Sequence, residues 1–138
     1  TCGKSADLNN IQIDNYDGNI FTTSGINITA TGNATVVQLP VETFDTHNYL
    51  AASDIVIAKA GWGTISEALL SKRNLVLIDR EDSENIEELK RRGVAVSIKE
   101  SDLVRIDMQA ISDLIEDNII RENLDAYENA IGDILRAL

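Results

Sequence analysis

Ser53 to Asn85, SDIVIAKAGWGTISEALLSKRNLVLIDREDSEN, holds the residues whose types and spacing can do chemistry. An apolar run, Ile55 to Ala58, opens into Gly61-Trp62-Gly63 and then into a helical pattern beginning near Thr64. Glycines at such a turn let the backbone approach a ligand closely and reach conformations closed to other residues. The unpaired N–H groups of the helix start face the same space, with the positive end of the helix dipole behind them, an arrangement that cradles a diphosphate. A second loop, Asp79-Arg80-Glu81-Asp82-Ser83-Glu84-Asn85, leaves the next strand at the same edge of the sheet. Arg80 there can pair with phosphate, and Glu84 and Asn85 can exchange hydrogen bonds with sugar hydroxyls.

Each of these residues also has a purely structural reading. Thr64-Ile65-Ser66-Glu67 has the form of a capping box, in which Thr64 caps the helix and Glu67 reaches back to it without any ligand; spacing alone favours this for Glu67. Trp62 either plugs the core beside the turn or stacks on a ligand ring. Arg80 can merely balance the acids around it, and Glu84 can be solvated surface. His47 lies in Asp45-Thr46-His47-Asn48-Tyr49 at an expected helix start, where capping or exposure is preferred to a base role. Cys2-Gly3-Lys4-Ser5 looks like the end of a P-loop, but the upstream glycine and strand are absent and Leu8-Asn9-Asn10 does not continue as a helix.

The elements that must position these groups alternate. Thr35 to Leu39, Ile55 to Ala58, Leu75 to Ile78 and Val94 to Ile98 read as strands, with Asp45 to Ala52, Thr64 to Lys72 and Ser83 to Arg92 as helices between them. This β-α-β-α-β-α-β order, with Gly61 and Gly93 at element ends, predicts an α/β, Rossmann-like parallel sheet with helices on both faces. The strand ends and their loops then share one edge, where a ligand site belongs. The first third is rich in Asn, Asp, Gly and Thr, and only Ile11 to Ile13, Ile20 to Phe21 and Ile26 to Ile28 look strand-like. Ser101 is placed to cap a short helical turn, and Met108 to Glu116 and Ile119 to Leu138 read as helices. In the last, Ile120, Leu124, Tyr127, Ile131, Ile134 and Leu138 fall on one side at spacings of three and four.

Composition narrows the partners. The 138 residues, 43% hydrophobic, suffice for one core, and no apolar run approaches the roughly 20 residues that span a bilayer. With 12 basic against 23 acidic residues, a net charge of -11 repels nucleic acid and anionic membranes, so any diphosphate must be held by local N–H groups and placed cations. One cysteine, Cys2, forms no internal disulfide, and with the single His47 it makes no metal ligand set; it fits a reducing compartment, and a cytoplasmic location is expected.

The pattern of an Asp before a strand, a Gly-x-Gly-Thr turn, Ser-Glu-Ala, and an acidic, Asn-bearing loop resembles the C-terminal domain of glycosyltransferase family 28 and its GT-B relatives, over roughly Leu39 to Leu114. The resemblance implies that Gly61, Gly63, Thr64 and Ser66 lie at the donor diphosphate and that Glu67 holds the ribose hydroxyls; Trp62, between the two glycines, is counted with the donor-binding residues as a ring that stacks on sugar or base. It also implies that Arg80, Glu84 and Asn85 reach the transferred sugar, and that Gly3, Lys4 and Ser5 form a second diphosphate turn. Residues 1–138 are then the UDP-sugar-binding half of a two-domain inverting transferase of hexosyl groups. No cofactor or metal is implied. The family's first strand would lie just before Gly3, and its following helix is not evident between Ala6 and Phe21. The catalytic base and acceptor site belong to the other domain, in cis or in a partner chain, which would also bring the protein to a membrane surface. The apolar side of the last helix, with Tyr127, Ile131 and Leu138, offers a surface for self-association. Two other functions share these features: a sugar-nucleotide epimerase, which would turn over donor without acceptor, and a non-catalytic sugar-nucleotide-binding or docking module.

Overall fold

The computed structural model describes residues 10–23, 26–40, 46–80 and 84–126. Gly3, Lys4, Ser5, Tyr127, Ile131, Ile134 and Leu138 therefore lie outside the described residues. Eight strands occur among the described ones: β1 Asn10–Asp14, β2 Asn19–Thr22, β3 Asn27–Ala30, β4 Thr35–Gln38, β5 Ile55–Lys59, β6 Asn74–Asp79, β7 Ala95–Lys99 and β8 Arg105–Asp107. Between and after them run α1 Thr46–Ala51, α2 Trp62–Leu70, α3 Glu84–Arg91, a 3-10 turn Glu100–Val104, α4 Met108–Asp117 and α5 Ile120–Ala126. Every described ladder is parallel, in the orders β3-β1-β8, β2-β4 and β5-β6-β7. The chain is an α/β, Rossmann-like fold, as the alternation predicts.

The core follows the apolar runs. Leu75, Val76, Leu77 and Ile78 of β6, the middle strand of its sheet, are buried on both faces, the usual state of a central parallel strand. On β5, Val56 and Ala58 enter the core, while Ile57 and Ile55 on the other face are half-buried. Helix α2 packs Ile65, Ala68 and Leu69 inward, and α3 packs Ile86 and Leu89, at the spacings of a one-sided apolar stripe. From α4 come Met108, Ile111 and Ile115, followed by Ile120 and Leu124 from α5.

Helix ends depart from the expectation in informative ways. Helix α2 starts at Trp62, two residues before the expected Thr64, with Gly61 as its N-cap and no side-chain cap. Thr64 is thus inside the first turn, and the capping box is not formed. Ser101 likewise sits inside the 3-10 turn, whose N-cap is Lys99. Helix α3 ends in a Schellman arrangement: Gly93 N–H donates to Lys90 O at 2.9 Å and Val94 N–H to Leu89 O at 3.2 Å, with Gly93 at φ 70°. Helix α2 repeats it through Lys72 and Arg73, which donate to Leu69 O at 3.0 Å and Ala68 O at 2.8 Å, but with a lysine at φ 54°. After α4 the same left-handed position falls on Ile119, at φ 48°, whose N–H donates to Glu116 O at 3.0 Å.

At the carboxyl ends of β1 and β8 a polar cluster ties distant segments together. Asp14 is buried, and its carboxylate accepts from Gln12 Nε2 at 2.9 Å, Thr31 Oγ1 at 2.7 Å and Arg105 Nε at 2.6 Å. Bonds from Gln12, Arg105 and Thr31 hold its pKa down at about 2, against an ordinary 3.8. Beside it, Asp107 caps α4 by accepting from Gln109 N–H at 2.9 Å and accepts from Asn15 Nδ2 at 2.8 Å, and these bonds lower its pKa as well.

Candidate functional site

The β5–β6 register pairs Lys59 with Ile78, so the residues that follow, Ala60-Gly61 and Asp79-Arg80, leave neighbouring strands at one edge. The β6–β7 register pairs Asp79 with Lys99 and sets Glu100 beside Arg80. Glycine turn, Arg80 and Glu100 therefore gather at the carboxyl edge of β5-β6-β7, the edge where parallel α/β sheets bind ligands.

The chain leaves β5 through Gly61, whose N–H donates to Lys59 O at 2.8 Å, and Ile65 N–H closes the first helical bond onto Gly61 O at 3.0 Å. The N–H groups of Trp62, Gly63 and Thr64 are left as the open end of the helix, with no side chain capping them. Neither glycine here is required by the backbone. Gly61 has φ -95° and ψ 140°, open to any residue, and Gly63 is not in the left-handed region. Nor does packing demand them: a Cβ on Gly61 would meet only Lys59 Cε, at 3.8 Å, and one on Gly63 would find nothing within 4 Å. The glycines do not supply the unusual conformations expected of them; they leave empty space in front of three amides.

Glu67 lies four residues beyond Gly63 and so on the same face of α2, and helical side chains lean toward the N-terminus. It is exposed, and its carboxylate has no hydrogen-bond or ion-pair partner among the described residues. Ser66 and Thr64 are half-buried. Trp62 is 45% exposed, which removes the core-plug reading and leaves its ring at the mouth of the turn.

Arg80 is drawn across the sheet edge to Glu100, Nε to Oε2 at 3.5 Å, a contact that the separation in sequence gives no hint of. Glu84 is exposed and Asn85 half-buried, both in the first turn of α3, and residues 81–83 of the same loop lie outside the described residues. His47 is exposed in the first turn of α1. One cation was overlooked in the sequence. Lys59 is the exposed last residue of β5, and its side chain runs alongside Gly61. A lysine that ends an otherwise apolar strand, two residues before a glycine turn, is the signal that could have found it.

Comparison with known proteins bears on this geometry. The family model of the glycosyltransferase family 28 C-terminal domain matches residues 2–130. Among solved structures, the chain is similar to the glycosyltransferase SnogD from Streptomyces nogalater, with a TM-score of 0.62 at 18% identity. The match covers 94% of this chain and 39% of that one, so the chain spans well under half the length of that neighbour. No curated protein matches. No described helix is long and apolar enough to cross a membrane.

Proposed function

We propose that this chain, which belongs to the glycosyltransferase family 28 C-terminal domain family, binds the nucleoside diphosphate of a UDP-sugar donor at the start of α2, for an inverting transfer of a hexosyl group. The observation that carries the reading is the pair of glycines that neither backbone nor packing requires, in front of three uncapped amides. In this reading the amides of Trp62, Gly63 and Thr64 take the diphosphate, with Lys59 and Arg80 as nearby cations and Ser66 as a further donor. Glu67 accepts from the two ribose hydroxyls, Trp62 covers the ligand from the mouth of the turn, and Glu84 and Asn85 meet the sugar. Gly3, Lys4 and Ser5 belong to the same proposal as a second turn at the diphosphate.

The chemistry contributed is electrostatic. As the acceptor oxygen displaces the diphosphate, negative charge grows on the leaving phosphate, and amides and a helix dipole already fixed in place stabilise it without reorganising. The base that takes the acceptor proton and the acceptor pocket belong, in this proposal, to a further domain in the same polypeptide or in a partner chain. A location in the cytoplasm, at a membrane surface through that partner, completes the reading.

Titration calorimetry of the 138-residue chain with UDP, UMP and ADP tests it. UDP should bind in the micromolar to millimolar range, about -8 to -4 kcal/mol, and no glycosyl transfer should occur without the other domain. Glu67→Gln should melt like the parent yet bind UDP about tenfold to over a hundredfold more weakly, the loss of roughly 1.5 to 3 kcal/mol expected for charge-assisted bonds. The loss should be smaller for 2'-deoxy-UDP. Unchanged UDP affinity in a folded Glu67→Gln protein would contradict the donor site.

A further inference from the structure

Strand β6 is the middle strand of its sheet, so Arg80, the first residue after it, has a neighbour on each side. Lys59 pairs with Ile78, which brings Gly61 and the start of α2 to the level of Arg80 on the β5 side. Asp79 pairs with Lys99, which brings Glu100 to the same level on the β7 side. Each lies roughly one strand spacing of 4.8 Å from Arg80, and an arginine side chain can turn either way. It turns to Glu100, Nε to Oε2 at 3.5 Å.

That pair is a loose one. Arg91 and Arg92 close on Glu88, and Arg105 on Asp14, at 2.6–2.8 Å with hydrogen bonds. At 3.5 Å the Arg80–Glu100 contact is an ion pair without one. Glu100 is also 41% exposed, so solvent screens the attraction and the pair adds little stability. Nor is it needed to hold the strands together, since β6 and β7 already pair from Leu75 to Asp79. What the pair decides is where the guanidinium stands: on the β7 side of β6, not on the side of the open amides of α2.

We infer that Glu100 is a positioning residue that competes with a nucleoside diphosphate for Arg80, holding the guanidinium on the β7 side until a phosphate draws it toward Gly61. The inference rests on the proposed donor site and adds a restraint to it. A ligand that needs Arg80 turned has first to displace Glu100, and its apparent affinity falls by the fraction of Arg80 already turned. The restraint acts on release as well. A guanidinium fixed on the leaving diphosphate would hold the product as firmly as the donor, and product departure limits many enzymes. A carboxylate that takes the guanidinium back favours departure.

Titrations of UDP and uridine into four proteins test it: the parent, Glu100→Gln, Arg80→Met and the double variant. Glutamine keeps the size of Glu100 without its charge, and methionine keeps the apolar stem of Arg80. Removing an acid near a diphosphate strengthens binding by plain Coulomb attraction whether or not Arg80 is present, so the comparison between backgrounds carries the test. UDP should bind Glu100→Gln about five- to tenfold more tightly than the parent, but the double variant no more than about twofold more tightly than Arg80→Met, the residue of a screened charge. Uridine, which has no phosphate, should bind the parent and Glu100→Gln alike. Equal gains in both backgrounds, no gain, or a matching gain for uridine overturns the inference and leaves the donor site standing. So does a Glu100→Gln protein that melts well below the parent with parental UDP affinity, which would make the pair structural. UDP binding to none of the four overturns the inference and the donor site together.

Discussion

Gly63→Ala sets stability against binding in one residue. A Cβ there meets nothing within 4 Å and the position is helical, so alanine should stabilise α2 by about 0.5–1 kcal/mol through lower entropy in the unfolded chain. For a domain of this size that raises the melting temperature by about 2 to 4 °C. The same methyl would stand in the open space before the amides of Trp62, Gly63 and Thr64 and between them and Glu67, one helical turn away. If a diphosphate sits there, displacing it from even one charge-assisted bond should cost roughly 1.5 to 3 kcal/mol, about tenfold to over a hundredfold in affinity. Thermal melts combined with UDP titration, read from the quenching of Trp62, the single tryptophan, check both halves on the same samples. Gly61→Ala is the contrasting control, because glycine is the better N-cap and alanine there should lower stability by several tenths of a kcal/mol. A Gly63→Ala protein that melts higher and binds UDP as well as the parent would refute the reasoning, since the vacant space would then serve no ligand.

The remaining predictions concern stability. Gly93→Ala forces a side chain into φ 70° with its Cβ driven against Asn123 Nδ2, and it should destabilise by about 2–3 kcal/mol in denaturant titrations, from left-handed strain plus the displaced Asn123 bond. Ile119→Gly should do the opposite, stabilising by about 1 kcal/mol in the same titrations, because an exposed β-branched residue is held at φ 48°. The Asp14 carboxyl titrates at about 2 when folded against 3.8 ordinarily, so its stabilisation is whole above the ordinary value and drains away as pH falls toward the folded one. Asp14→Asn should therefore melt well below the parent at neutral pH, with the gap narrowing in melts taken down toward pH about 2.

What the sequence made legible was whatever has a local cause. Leu75 to Ile78 declared a central strand because four successive apolar residues are needed where both faces are covered. The start of α2 was misplaced by two residues because Gly61-Trp62-Gly63 reads as a turn, although the first helical turn has no internal N–H bonds to lose and tolerates glycine. Strand β8 was not seen at all: Arg105-Ile106-Asp107 buries only Ile106, and what makes it a strand is its pairing with Gln12 to Asp14 far upstream. The same holds at the site. Glycine spacing and Glu67 could be read along the helix, whereas the approach of Arg80 to Glu100 depends on the β6–β7 register.

That long pairing of β1 with β8 also sets an order of events during synthesis. Asp14 and its partner Arg105 stand 91 positions apart, so everything between must be made before the contact can form. Emerging amino end first, β1 can find β3 early, and β5, β6 and β7 are complete once Lys99 has been added. Until Asp107 follows, the other edge of β1 is an open template and Asp14 lacks its cation, which leaves Gln12 to Asp14 open to wrong partners over that interval. Nascent chains halted before Arg105 should be cut by a protease within β1, and chains extended past Asp107 should resist; equal cutting in both would show that β1 is sheltered by something other than β8. The stretch that closes the sheet is thus a checkpoint on order: β1 cannot fill its second edge until Arg105 to Asp107 have been made.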